Sequence, residues 1–154
     1  MRIFLITLLT LLLSACDQQA QINTWPMVKS CNLHQQACTA THNGQAVILN
    51  ITPKPIPVAK PLKVSVTLQN LPAKKVELDI SGINMYMGYN RVALQPIDAN
   101  RWQGDSMLAF CTNDVMEWKV SVLITQPDGT VTQVPFYLKT ERDKRYPEPV
   151  KVAD

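Results

Sequence analysis

The stretch Leu62-Lys63-Val64-Ser65-Val66-Thr67-Leu68-Gln69 decides the fold. Successive side chains of an extended chain leave opposite faces, so Leu62, Val64, Val66 and Leu68 line one face and Lys63, Ser65, Thr67 and Gln69 the other. The same alternation recurs at Val76, Leu78 and Ile80 against Lys75, Glu77 and Asp79. It returns at Trp118, Val120, Val122 and Ile124 against Lys119, Ser121 and Thr125. Val47, Leu49 and Ile51 predict an earlier strand, residues 91–95 and 101–108 a pair around 98–100, and residues 131–138 a last strand. Asn43-Gly44 and Pro127-Asp128-Gly129 supply turns, because Gly and Asn accept positive φ and Pro presets its own. About seven short strands with no convincing helix between them predict an all-β fold: an immunoglobulin-like antiparallel β-sandwich, with a small barrel as the alternative. Pro53, Pro55, Pro57 and Pro61 predict an extended edge or crossover between two of these strands.

The composition agrees. The chain has 154 residues, 46% hydrophobic and 18% charged, with eleven prolines against five glycines, which disfavours long helices. Lys plus Arg is 15 and Asp plus Glu is 12. Without Arg2 the balance is 14 against 12, or +2, too weak a field to argue for nucleic acid.

Arg2 precedes an apolar run, Ile3 to Leu13, broken only by Thr7 and Thr10. That is a secretory signal segment, about half the roughly 20 residues that a spanning helix needs. It ends in Leu13-Ser14-Ala15-Cys16, which resembles a bacterial lipobox. The expectation is a signal peptide over residues 1–15 and a lipid-acylated Cys16 as the mature N-terminus, since stable anchoring takes more than one acyl chain. Asp17 beside the cysteine points to the inner membrane. Residues 16–30, rich in polar side chains, read as a flexible tether, and at about 3.3 Å per residue the stretch 17–30 reaches at most roughly 46 Å. Residues 31–140 make the domain, and residues 141–154, charged and carrying Pro147 and Pro149, a frayed tail.

Three cysteines remain beyond Cys16, an odd number for an oxidising compartment. Cys31 and Cys38 are placed to close a small ring. A bond from Cys111 to one of them is the rival. Cys31, His34, Cys38 and His42 invite comparison with a zinc set, but on a helix the outer two would stand about 16 Å apart, too far for one ion.

Gly82-Ile83-Asn84-Met85-Tyr86-Met87-Gly88-Tyr89-Asn90 is the most unusual segment. In an extended backbone Met85 and Met87 present thioethers from one face, and Cys111 and Met116 lie in or beside a predicted loop at 110–115. Thiolate and thioether ligands select Cu(I). Methionine also fills irregular core space, which is the structural alternative.

Met85-x-Met87-Gly88, Leu94, Arg101-Trp102-x-Gly104 and Met116-x-Trp118-x-Val120-x-Val122 together resemble the YtkA-like periplasmic domains, related in style to FixH-type and CopC-type proteins. The resemblance covers about residues 62–126. It implies an immunoglobulin-like module associated with copper handling and respiratory oxidase assembly. Where such relatives place histidine beside the methionines, this chain has Asn84, Tyr86, Tyr89 and Asn90, which speaks against a Cu(II) site.

Two functions follow as expectations. One is a membrane-anchored periplasmic module that holds Cu(I) through Met85, Met87, Cys111 and Met116 and delivers it to a partner at the inner membrane. The other is a metal-free accessory lipoprotein docking on an inner-membrane complex through Tyr86, Tyr89 and Arg91, residue types common as interface anchors. The chain carries no H-E-x-x-H, G-x-S-x-G, phosphate loop or dinucleotide fingerprint, and Cys111 has no C-x-x-C partner, so no enzyme is expected.

Overall fold

The computed structural model describes residues 21–142. Cys16, the expected signal segment and the chain beyond Arg142 lie outside the described residues. Nine strands follow one another: β1 (Ile22–Thr24), β2 (Cys38–His42), β3 (Gln45–Thr52), β4 (Leu62–Gln69), β5 (Lys75–Gly82), β6 (Arg91–Pro96), β7 (Arg101–Ser106), β8 (Val115–Thr125) and β9 (Val131–Glu141). No helix occurs among the described residues. The strands form one mixed, curled sheet in the order β1-β9-β8-β5-β6-β7-β4-β3-β2, and β1 alone runs parallel to its neighbour.

The sheet curls because β6 changes partner. Its first four residues, Arg91 to Leu94, pair with β5, while Gln95 and Pro96 pair with β7. The two halves thereby face a common core: Val47, Leu49, Val64 and Val66 from one meet Val76, Leu78, Trp118, Val120 and Phe136 from the other. Every residue expected to point inward on β4 and β5 is buried. On β8 the alternation stops. Ser121, expected on the solvent face, is buried, and its hydroxyl accepts a hydrogen bond from the Gln133 side-chain amide at 3.1 Å.

The expected count of about seven strands is corrected to nine by β1 and β2. In β1 the side chains are exposed, so no apolar alternation announces it, and pairing with β9 through the backbone places it. Trp25, just after it, is buried, so the sheet begins inside the segment read as a tether. At the other end β9 runs through Thr140 to Glu141, beyond the expected end of the domain.

Cys31 and Cys38 form a disulfide with Cα atoms 5.7 Å apart, and Cys111 is a free thiol. The disulfide loop is held by polar side chains. Lys54 Nζ donates to the carbonyls of Leu33, Gln36 and Ile51 at 2.7, 3.2 and 3.0 Å, and burial pushes its pKa down. His34 Nδ1 accepts the Ile56 N–H at 3.0 Å while its Nε2 lies 2.7 Å from the Lys139 carbonyl. The His42 ring stands 5.3 Å from that of Trp25. The zinc-like set is thereby dispersed: its cysteines are bonded to each other and its histidines serve the fold.

Candidate metal centre

Two loops meet at one pole of the sheet: residues 83–90 between β5 and β6, and residues 107–114 between β7 and β8. The first does not run extended. A Cβ at Gly82 would collide with the carbonyl oxygen of Met85 and lie 3.1 Å from Met87 Cγ, so the chain folds back over a position that only glycine fits. The Ile83 N–H donates to the Glu117 carbonyl at 2.8 Å. Asn84 then clamps the loop to β8: its Nδ2 donates to the Val115 carbonyl at 3.0 Å, and its Oδ1 accepts the Glu117 N–H at 3.1 Å. At the far end Asn90 Nδ2 donates to the Met107 carbonyl at 2.8 Å, tying the first loop to the second. Buried Leu108 anchors the second loop, and its carbonyl accepts the Ala59 N–H at 2.9 Å.

These ties bring Cys111 Sγ to 3.5 Å from Met85 Sδ, across 26 residues of sequence. The Asn113 N–H points at Cys111 Sγ at 3.4 Å, and Asn113 Nδ2 stands 3.9 Å from Met116 Sδ. Met116 is buried on β8 and Cys111 half-buried, while Met85 is 39% exposed. Beside the thiol lies a cavity of about 200 Å³, walled by Cys111, Met116, Trp118, Phe110, Val58 and Ala59.

The structure therefore divides the four expected sulfur ligands. Cys111 and Met85 touch, and Met116 shares the cavity wall with Cys111. Met87 does not share an extended face with Met85; it turns inward and packs against the core. Tyr86 is 88% exposed, and Tyr89 is exposed with the Arg91 guanidinium 5.7 Å from its ring centroid. Arg91 also pairs with Asp79 at 3.6 Å.

Two sulfurs 3.5 Å apart suit a soft ion. With metal–sulfur bonds of about 2.3 Å, they would subtend an angle of roughly 100° at the metal. Among the described residues no three of His, Cys, Asp and Glu converge on one point, so a metal here would need thioether sulfur. The asparagines that hold the two loops, Asn84 and Asn90, were missed as functional residues in the sequence. Their signal is present, since asparagines bracket the methionine loop on both sides. No protein-family model matches the chain, and comparison with curated proteins finds no significant sequence match.

Proposed function

We propose that the protein is a membrane-anchored periplasmic module, non-enzymatic, that binds Cu(I) at Cys111 and Met85 and delivers it to a partner at the inner membrane. The contact between Cys111 Sγ and Met85 Sδ carries the reading: two soft donors from separate loops meet at ligand spacing, held there by Asn84 and Asn90. Met116, on the same cavity wall, is the nearest further sulfur. Pairing of β4 with β7 in one half, and of β5, β8 and β9 in the other, supports the immunoglobulin-like sandwich and with it a YtkA-like or FixH-like module. Anchoring rests on the lipobox at Cys16; Cys16→Ser should release the protein from membranes.

Titration of the reduced, lipid-free chain with Cu(I) against a chromogenic competitor tests the reading. One Cu(I) should bind tightly, with Zn(II) and Cu(II) bound poorly. Met85→Leu should abolish tight binding and Met87→Leu should keep it, since Met to Leu nearly conserves volume. A second reading, the metal-free accessory lipoprotein, draws on the exposure of Tyr86 and Tyr89 at this pole. It becomes the better one if the wild-type chain takes up no copper.

A further inference from the structure

Nine large apolar side chains are exposed among the described residues, and seven of them fall within residues 83–89 and 107–115; the other two, Ile22 and Ile97, lie elsewhere on the chain. Hydrogen bonds from Asn84 to Val115 and from Asn90 to Met107 hold these two segments together, so the seven cluster around the Cys111–Met85 pair at one pole. A cluster of this kind marks an interaction surface. The cavity of about 200 Å³ opens within it, with Phe110, 59% exposed, on its wall. A metal held by the two sulfurs at roughly 100° is left with an open side, because two ligands alone would stand opposite each other.

The path of the chain decides what covers this pole. β1 runs parallel to β9, and the Val131 N–H donates to the Gln21 carbonyl at 3.0 Å, so the chain enters the fold at the start of β9. The sulfur loops sit at its other end, where Val115 pairs with Glu141 and the Arg142 N–H donates to the Asp114 carbonyl. Ten steps along β9 separate the two ends by roughly 34 Å. From Cys16 to Gln21 the chain reaches at most about 17 Å. A domain anchored at Cys16 therefore cannot stand with this pole face-down on the membrane that anchors it.

We infer that the sulfur pole is the docking face for an acceptor protein that presents a soft metal ligand beside an apolar side chain. The ligand completes the coordination of Cu(I) on its open side, and the apolar side chain enters the cavity beside Cys111. This rests on the copper and anchor readings above. Transfer is stepwise ligand exchange: each bond from Cu(I) to Met85 and to Cys111 breaks as a bond to a soft ligand of the acceptor forms, the released Cys111 thiolate takes up a proton from solvent, and copper stays Cu(I) throughout.

The probe is a short synthetic peptide with one methionine followed by leucine, and its counterpart with serine in place of leucine. Both are titrated onto the lipid-free chain with and without Cu(I), after the copper stoichiometry has been measured. The leucine peptide should bind the copper-loaded protein about tenfold more tightly than the serine peptide does, the effect of one buried aliphatic side chain. It should also bind the copper-free protein more weakly. Phe110→Ser should erase the preference for leucine while leaving copper stoichiometry and affinity unchanged. Equal binding of the two peptides, or a preference that survives Phe110→Ser, overturns the inference while the copper reading stands. Binding of the lipid-free chain to vesicles of phosphatidylcholine and phosphatidylglycerol that is lost in Phe110→Ser assigns the surface to lipid and also overturns it. Failure of the wild type to take up copper overturns the copper reading and this inference with it.

Discussion

Asn84→Ala separates the fold from the site. The Asn84 side chain makes two hydrogen bonds to the backbone of β8, to the Val115 carbonyl and from the Glu117 N–H. Each contributes about 1 kcal/mol net, and because solvent reaches both, truncation should cost about 1–2 kcal/mol in all. For a domain of this size that is a fall of roughly 4–8 °C in melting temperature. A second effect should be on copper. Met85 follows Asn84 directly, so freeing the loop makes binding repay the ordering of Met85 against Cys111; a cost of about 1 kcal/mol weakens Cu(I) affinity roughly fivefold. Asn84→Asp keeps an acceptor for the Glu117 N–H but sets a second oxygen against the Val115 carbonyl, so it should recover only part of the stability. Thermal denaturation followed by circular dichroism gives the first quantity and competition for Cu(I) the second. If both variants melt and bind as the wild type does, Asn84 does not hold the loop, and the account of how the sulfurs meet is wrong.

Trp118→Ala should cost about 3–5 kcal/mol, because the buried ring fills the core and its indole N–H donates to the buried Thr140 hydroxyl at 2.9 Å; urea denaturation measures it. An unreduced digest should show Cys31 linked to Cys38 and Cys111 alkylated, and replacing Cys31 and Cys38 together by Ser should lower stability by about 2 kcal/mol on chain-entropy grounds. The Tyr137 hydroxyl donates to Glu117 at 2.6 Å, which raises its pKa above the ordinary 10.0. The folded state therefore keeps a proton that the unfolded chain has lost. The resulting stability is complete below pH 10.0 and fades as the pH rises through the folded value. Stability measured along an alkaline series should fall less steeply in Tyr137→Phe.

Strands with one buried face were legible because burial on one side imposes a period of two: β4, β5 and the first half of β8 read directly from Leu62, Val76 and Trp118 onward. β1 was not, since its place comes from backbone pairing with a strand more than a hundred residues away, which no side-chain pattern records. In β2 the alternation of buried Cys38 and Ala40 was present, but the segment was read for its cysteine pairing, which the structure shows, and the strand that carries Cys38 was passed over. At the site, residue types pointed to sulfur while spacing misled. Met85 and Met87 looked like a pair because an extended backbone was assumed, whereas the turn over Gly82 packs Met87 against the core and brings Met85 to Cys111. That contact joins two loops whose paths depend on two asparagines and a buried leucine.

The parallel pairing of β1 has a mechanical side. A pull on the chain before Gln21, directed away from the sulfur pole, runs along the axis of β1. It loads the bonds of Gln21, Trp25 and Val28 to β9 in shear, all at once, where a strand peeled from its end would lose them one at a time. A strand of three residues can then act as a mooring. Tension between an anchored N-terminus and a partner held at the opposite pole would be carried through β9, the strand that runs from one pole to the other, and would reach the partner only through the two loops that carry the sulfurs.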